Sequence, residues 1–88
     1  MGQFVSMEKY TYVAVADDAT NDYVKIPIAV ANLESGAPTG MIAQIRAATT
    51  GVVNSAGLAI TYADGVVKVA ATAITVGDVV TLIVFDAN

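Results

Sequence analysis

The dipeptide Asp64-Gly65 constrains this chain more than any other feature. It joins two alternating runs, Leu58 to Ala63 (LAITYA) and Val66 to Thr72 (VVKVAAT). A two-residue connection between antiparallel strands adopts a type I′ turn, which needs positive φ at both central positions, and Asp-Gly supplies it. The turn then sets the register. Ala63 faces Val66, Tyr62 faces Val67, Thr61 faces Lys68, Ile60 faces Val69 and Leu58 faces Ala71. Leu58, Ile60, Tyr62, Val67, Val69 and Ala71 fall on one apolar face, with Thr61 and Lys68 on the other. A slip of one residue would destroy that separation, so turn chemistry and side-chain pattern specify the same hairpin.

The rest of the chain reads as further strands. Its fourteen valines and nine threonines are β-branched and favour extended backbone. Tyr10 to Ala16 alternates, with Tyr10, Tyr12, Ala14 and Ala16 on one face and Thr11, Val13 and Val15 on the other. Residues 17–22 (DDATND) form a polar turn cluster. Tyr23 to Ala31 puts Val24, Ile26, Ile28 and Val30 on one face, and Pro27 assigns this strand to a sheet edge or a bulge. Residues 32–40 and 49–57 are turn-rich connections. Met41 to Ala48 (MIAQIRAA) fits a short helix or a strand. Val76-Gly77-Asp78 is a turn, and Val79 to Phe85 is a closing strand, apolar on both faces except for Thr81. A strand of that kind is central and covered on both sides, by its own sandwich or by a neighbouring subunit. The expected fold is all-β, a small antiparallel sandwich or barrel of about six strands with at most one short helix near 41–48. Residues 9–88 form a single β domain, preceded by residues 1–8 as an N-terminal arm or edge strand. An arm carrying Phe4, Val5 and Met7 is too apolar to stay in water, so it is expected to dock on its own domain or on a neighbour.

Composition excludes much chemistry. Histidine and cysteine are absent. The commonest general base, the thiol nucleophile and the commonest transition-metal ligands go with them. Four basic against eight acidic residues give a net charge of −4, which disfavours nucleic acid as a partner. The mean hydropathy of +0.64 invites a search for membrane spans. The longest apolar run, Val79 to Phe85, is far short of the ~20 residues needed, so no membrane partner is expected. No secretory signal is visible, and the expected location without a virion is the cytoplasm. Met1 to Ser6 matches a myristoylation pattern, but no basic cluster follows to supply the second anchor.

Individual sites fare no better as chemistry. Asp18, Thr20 and Asp22 have the i, i+2, i+4 spacing of a calcium loop. Tyr23 and Ala29 then occupy the positions where an EF-hand needs Gly and Glu, so turn chemistry explains the cluster. The carboxylates fall mostly in turns, the serines have no base, and no phosphate-binding glycine loop occurs. No catalytic residue, metal or cofactor is expected.

Hydrophobic residues make up 56% of the chain and charged residues 14%. A domain of 88 residues cannot hide that much apolar surface alone, so burial between chains is expected, as a homo-oligomer or on a larger assembly. The candidate interface residues are Phe4, Val5, Tyr10, Tyr12, Tyr23 and Phe85. If Val13 and Val15 face the core, Tyr10 and Tyr12 face outward, where tyrosine suits protein contacts.

The stretch Gly65-Val66-Val67-Lys68-Val69-Ala70-Ala71-Thr72-Ala73, with Val76-Gly77-Asp78-Val79-Val80-Thr81-Leu82 after it, resembles small tailed-bacteriophage capsid decoration, or cement, proteins. There too Ala/Val/Thr-rich strands are separated by Gly-Asp turns. The resemblance covers about a quarter of the chain and carries over no individual residue. It implies a non-enzymatic virion protein on the outer capsid, often trimeric, whose partner is the major capsid protein or another virion protein. A small ligand-binding or adhesive β-module using exposed tyrosines is the alternative, and an enzyme is a third class.

Overall fold

A computed structural model describes residues 5–33 and 37–87. Phe4, one of the six candidate interface residues, lies outside them, as does the start of the N-terminal arm. The chain runs β1 (Val5–Val13), α1 (Ala16–Asn21), β2 (Tyr23–Pro27), a 3₁₀ turn (Val30–Asn32), β3 (Gly40–Arg46), β4 (Val53–Asn54), β5 (Ala59–Ala63), β6 (Val66–Ala70) and β7 (Val79–Ala87). Seven strands build two antiparallel sheets, in the orders β1-β7-β3-β4 and β2-β6-β5. The fold is therefore all-β, as the alternation predicts.

The hairpin forms in the predicted register, from Ala63 opposite Val66 through Ile60 opposite Val69. Asp64 and Gly65 take φ values of 50° and 79°, the positive pair that a type I′ turn requires. The Tyr62 hydroxyl accepts the Gly65 N–H at 3.1 Å and braces the turn. β6 then pairs with β2, setting Val24 against Val69 and Ile26 against Val67. Pro27 ends β2 on the outside of this sheet, where its missing N–H costs no ladder bond.

The core lies between the sheets. Val24, Ile26, Val67 and Val69 come from the three-stranded sheet, and Ala43, Ile45, Val80, Leu82 and Val84 from the four-stranded one. Ala14, Ile28, Leu33 and Ile74 close its ends. β7 is central, flanked by β1 and β3. Its even-numbered residues are buried by the sandwich. Its odd-numbered ones, Val79, Thr81, Ile83 and Phe85, are only half-buried on the outer face.

Four expectations change in detail. Residues 41–46 are strand, not helix, because β3 pairs with β7 along its whole length. The first strand begins at least by Val5 and stops at Val13, so Ala16 starts a helix rather than ending a strand. Residues 17–21 of the polar cluster lie in α1, which Asp22 terminates in the left-handed region (φ 61°) while its N–H donates to the Asp18 carbonyl at 2.8 Å. Finally, the faces of β1 are inverted. Val13 and Val15 are 54% and 52% exposed, whereas Tyr10 and Tyr12 pack against the core. Residues 5–8 of the expected arm pair with Val84 to Ala87 of β7.

Candidate functional site

The inversion of β1 has a local cause. Asp18, held in the first turn of α1, accepts the Val15 N–H and the Tyr12 hydroxyl with its Oδ2, both at 2.9 Å. A tyrosine pointing outward would leave that carboxylate with the Val15 N–H as its only donor among these two. The hydrogen bond to Asp18, with burial and the nearby Asp18 and Asp17 charges, raises the Tyr12 pKa above its ordinary value. Tyr10 is likewise used internally, its hydroxyl accepting the Ala29 N–H at 2.7 Å. Neither is free to be an outward interface residue.

The remaining candidates are dispersed. Val5 pairs with Ala87 at the start of β1. Tyr23 is half-buried on the outer face of the three-stranded sheet. The Lys68 ammonium stands 4.3 Å from its ring centroid and that of Lys25 5.7 Å, a cation–π arrangement. Lys25 and Lys68 are directly opposite in the β2–β6 ladder. Phe85 lies on the other outer face, opposite Gly40. Any side chain at position 40 would collide with its ring, so glycine lets the aromatic lie across β3. The five described candidates therefore do not converge on one site.

Other polar groups serve the scaffold. Asp78 accepts the Ala48 and Thr75 N–H groups, both at 2.9 Å, tying the turn after β3 to the turn before β7. Asp22 accepts the Ile74 N–H at 3.3 Å, and the Thr20 hydroxyl donates to the Ala16 carbonyl. The side chains with calcium-loop spacing are thus spent on backbone and tyrosine. Among the described residues no group of three or more carboxylates could hold a metal, and no helix is long and apolar enough to cross a membrane.

The feature that does stand out is the outer face of the four-stranded sheet. Ladder register sets Met7 beside Phe85, Lys9 beside Ile83 and Ile42, Thr11 beside Thr81 and Gln44, and Val13 beside Val79 and Arg46. Val53 of β4 continues the last row. Met7, Ile42, Val13 and Val53 are 61%, 53%, 54% and 54% exposed. A solvated sheet face normally alternates to polar residues; this one carries exposed apolar side chains toward both ends, with Lys9 and Arg46 among them and a Thr11, Thr81 and Gln44 belt between. The sequence names Phe85 as an interface candidate but not Ile42, because the pairing of β3 with β7 that brings them to one face is non-local and residues 41–48 also fitted a helix.

No family of proteins matches the chain, and no curated protein or solved structure is significantly similar to it.

Proposed function

We propose that this chain is a non-enzymatic virion structural protein of the capsid-decoration type, seated on the outer capsid by the outer face of its four-stranded sheet. The observation that carries the reading is the set of apolar side chains on that face, Met7, Ile42, Val13 and Val53, each more than half exposed in a domain of this size. A decoration protein works by burying such surface across capsomer seams, without chemistry. A chain lacking histidine and cysteine is equipped for that role. The tyrosine platform of a ligand-binding module is not favoured, since Tyr10 and Tyr12 are engaged internally.

The test is co-sedimentation with shells of the major capsid protein encoded beside this chain. The wild type is expected to pellet with the shells. Ile42→Asp, at an exposed strand position, should stay in the supernatant while melting close to the wild-type temperature. Equal binding by both proteins, or no neighbouring capsid gene, would count against the proposal.

A further inference from the structure

Edge strands present unpaired N–H and C=O groups, and proteins guard them with charge, proline, bulges or shortness. Three of the four edges here are guarded. β1 carries Glu8 and Lys9 at its middle, β2 carries Lys25 and Pro27, and β4 is two residues long. β5 (AITYA) has no such device.

The ladder defines what β5 offers. The two-residue turn makes Ala63 and Val66 a hydrogen-bonded pair. Alternation then turns the backbone groups of Ile60 and Tyr62 away from β6, toward the open edge. Among the described residues neither makes a backbone hydrogen bond on that side. The side chains of Ile60 and Tyr62 face inward and are half-buried, packed against the core at the margin of the sheet.

We propose that β5 pairs antiparallel with β5 of a second copy of this chain, giving a two-fold dimer with a continuous six-stranded sheet. The strand reads Ala-x-Thr-x-Ala in both directions about Thr61. A two-fold axis there sets Thr61 against Thr61 of the partner subunit, Ile60 against Tyr62 of the partner subunit, and Ala59 against Ala63 of the partner subunit. The outward groups of Ile60 and Tyr62 make four backbone hydrogen bonds. Thr–Thr is a favourable cross-strand pair, and no charge opposes its like on this strand. The occupant is further specified by a groove of about 510 Å³ that begins where β5 begins, at Gly57 and Leu58, with Ala71 and Val52 in its walls. In this register the partner's hairpin tip runs past Ala59 toward that groove, adding apolar contact to the edge pairing.

Sedimentation velocity and native mass spectrometry of the full chain test the proposal. The wild type should sediment as twice the chain mass of 9.0 kDa. T61K sets two ammonium groups face to face and should weaken the dimer about tenfold or more. T61E, whose carboxylate faces Lys68 of its own chain, is the folded counterpart. Mixing T61K with T61E should produce a heterodimer tighter than either variant alone, a result only direct opposition of position 61 yields. A monomeric wild type, a trimeric mass, a T61K protein as dimeric as the wild type, or a mixture without heterodimer would each overturn it. The Ile42→Asp variant should keep the dimer mass, so failure of this proposal is separable from failure of capsid attachment.

Discussion

The Asp18 carboxylate does two jobs with one oxygen: it holds the start of α1 through the Val15 N–H and receives the Tyr12 hydroxyl. The second bond needs a protonated tyrosine, so it makes stability depend on alkaline pH. The Tyr12 pKa is raised in the folded chain, first by the bond to Asp18 and then by burial. Its contribution is therefore complete below the unfolded tyrosine value of about 10 and is lost as pH rises through the higher folded value. Tyr12→Phe should cost about 1 kcal/mol near neutral pH, as one net hydrogen bond. The gap between the two proteins should close at high alkaline pH. Urea midpoints measured for both across that range check this, and a gap that stays constant with pH would remove Tyr12 as the source. The same pair explains why the direction of β1 was illegible in sequence. Tyrosine and valine are both apolar enough for a core, and only the carboxylate brought in by α1 decides between them. The helix itself was hidden because six residues rich in Asp, Thr and Asn have the composition of a turn.

At the scale of elements, the β5–β6 hairpin was read correctly because everything that specifies it is local. The β5–β6 hairpin needs only its turn residues and its own alternation, and both lie within fifteen residues of sequence, 58–72. What depends on distant pairing was not legible: Lys25 opposite Lys68, the Phe85 ring over Gly40, and the apolar outer face shared by β1, β7 and β3. The hairpin also permits a clean test of turn conformation. At Gly65 an added Cβ would meet no neighbouring atom, so any penalty comes from its positive φ alone. Gly65→Val should cost ~1–2 kcal/mol or more, because a β-branched residue is strongly disfavoured there. Gly65→Asn should cost clearly less, since asparagine tolerates the left-handed region. Chemical denaturation of the two variants against wild type gives the comparison, and equal losses would mean that the turn conformation is not what position 65 contributes.

The whole molecule is closed by its ends. β1 and β7, the first and last strands, pair over nine residues each, from Val5 opposite Ala87 to Val13 opposite Val79. Such a contact is strongly non-local, joining residues 5–13 to residues 79–87. Its outer portion is the N-terminal segment, so removing residues 2–7 deletes the pairing of positions 5–7 with 85–87. β7 keeps β3 on its other side, through Gly40 opposite Phe85 and onward to Arg46 opposite Val79. The truncated protein should therefore still fold, with stability lowered by about 2–3 kcal/mol for the lost ladder bonds. Amide exchange should rise at the end of β7, around Asp86, which is 1% exposed in the intact fold and lies opposite Ser6. Exchange at the β5–β6 hairpin, in the other sheet, should change only as far as global stability falls. Urea unfolding with hydrogen-exchange mass spectrometry separates the outcomes. Unchanged stability would show that residues 5–7 add nothing to their own domain. Complete unfolding would show that the sandwich cannot close without them.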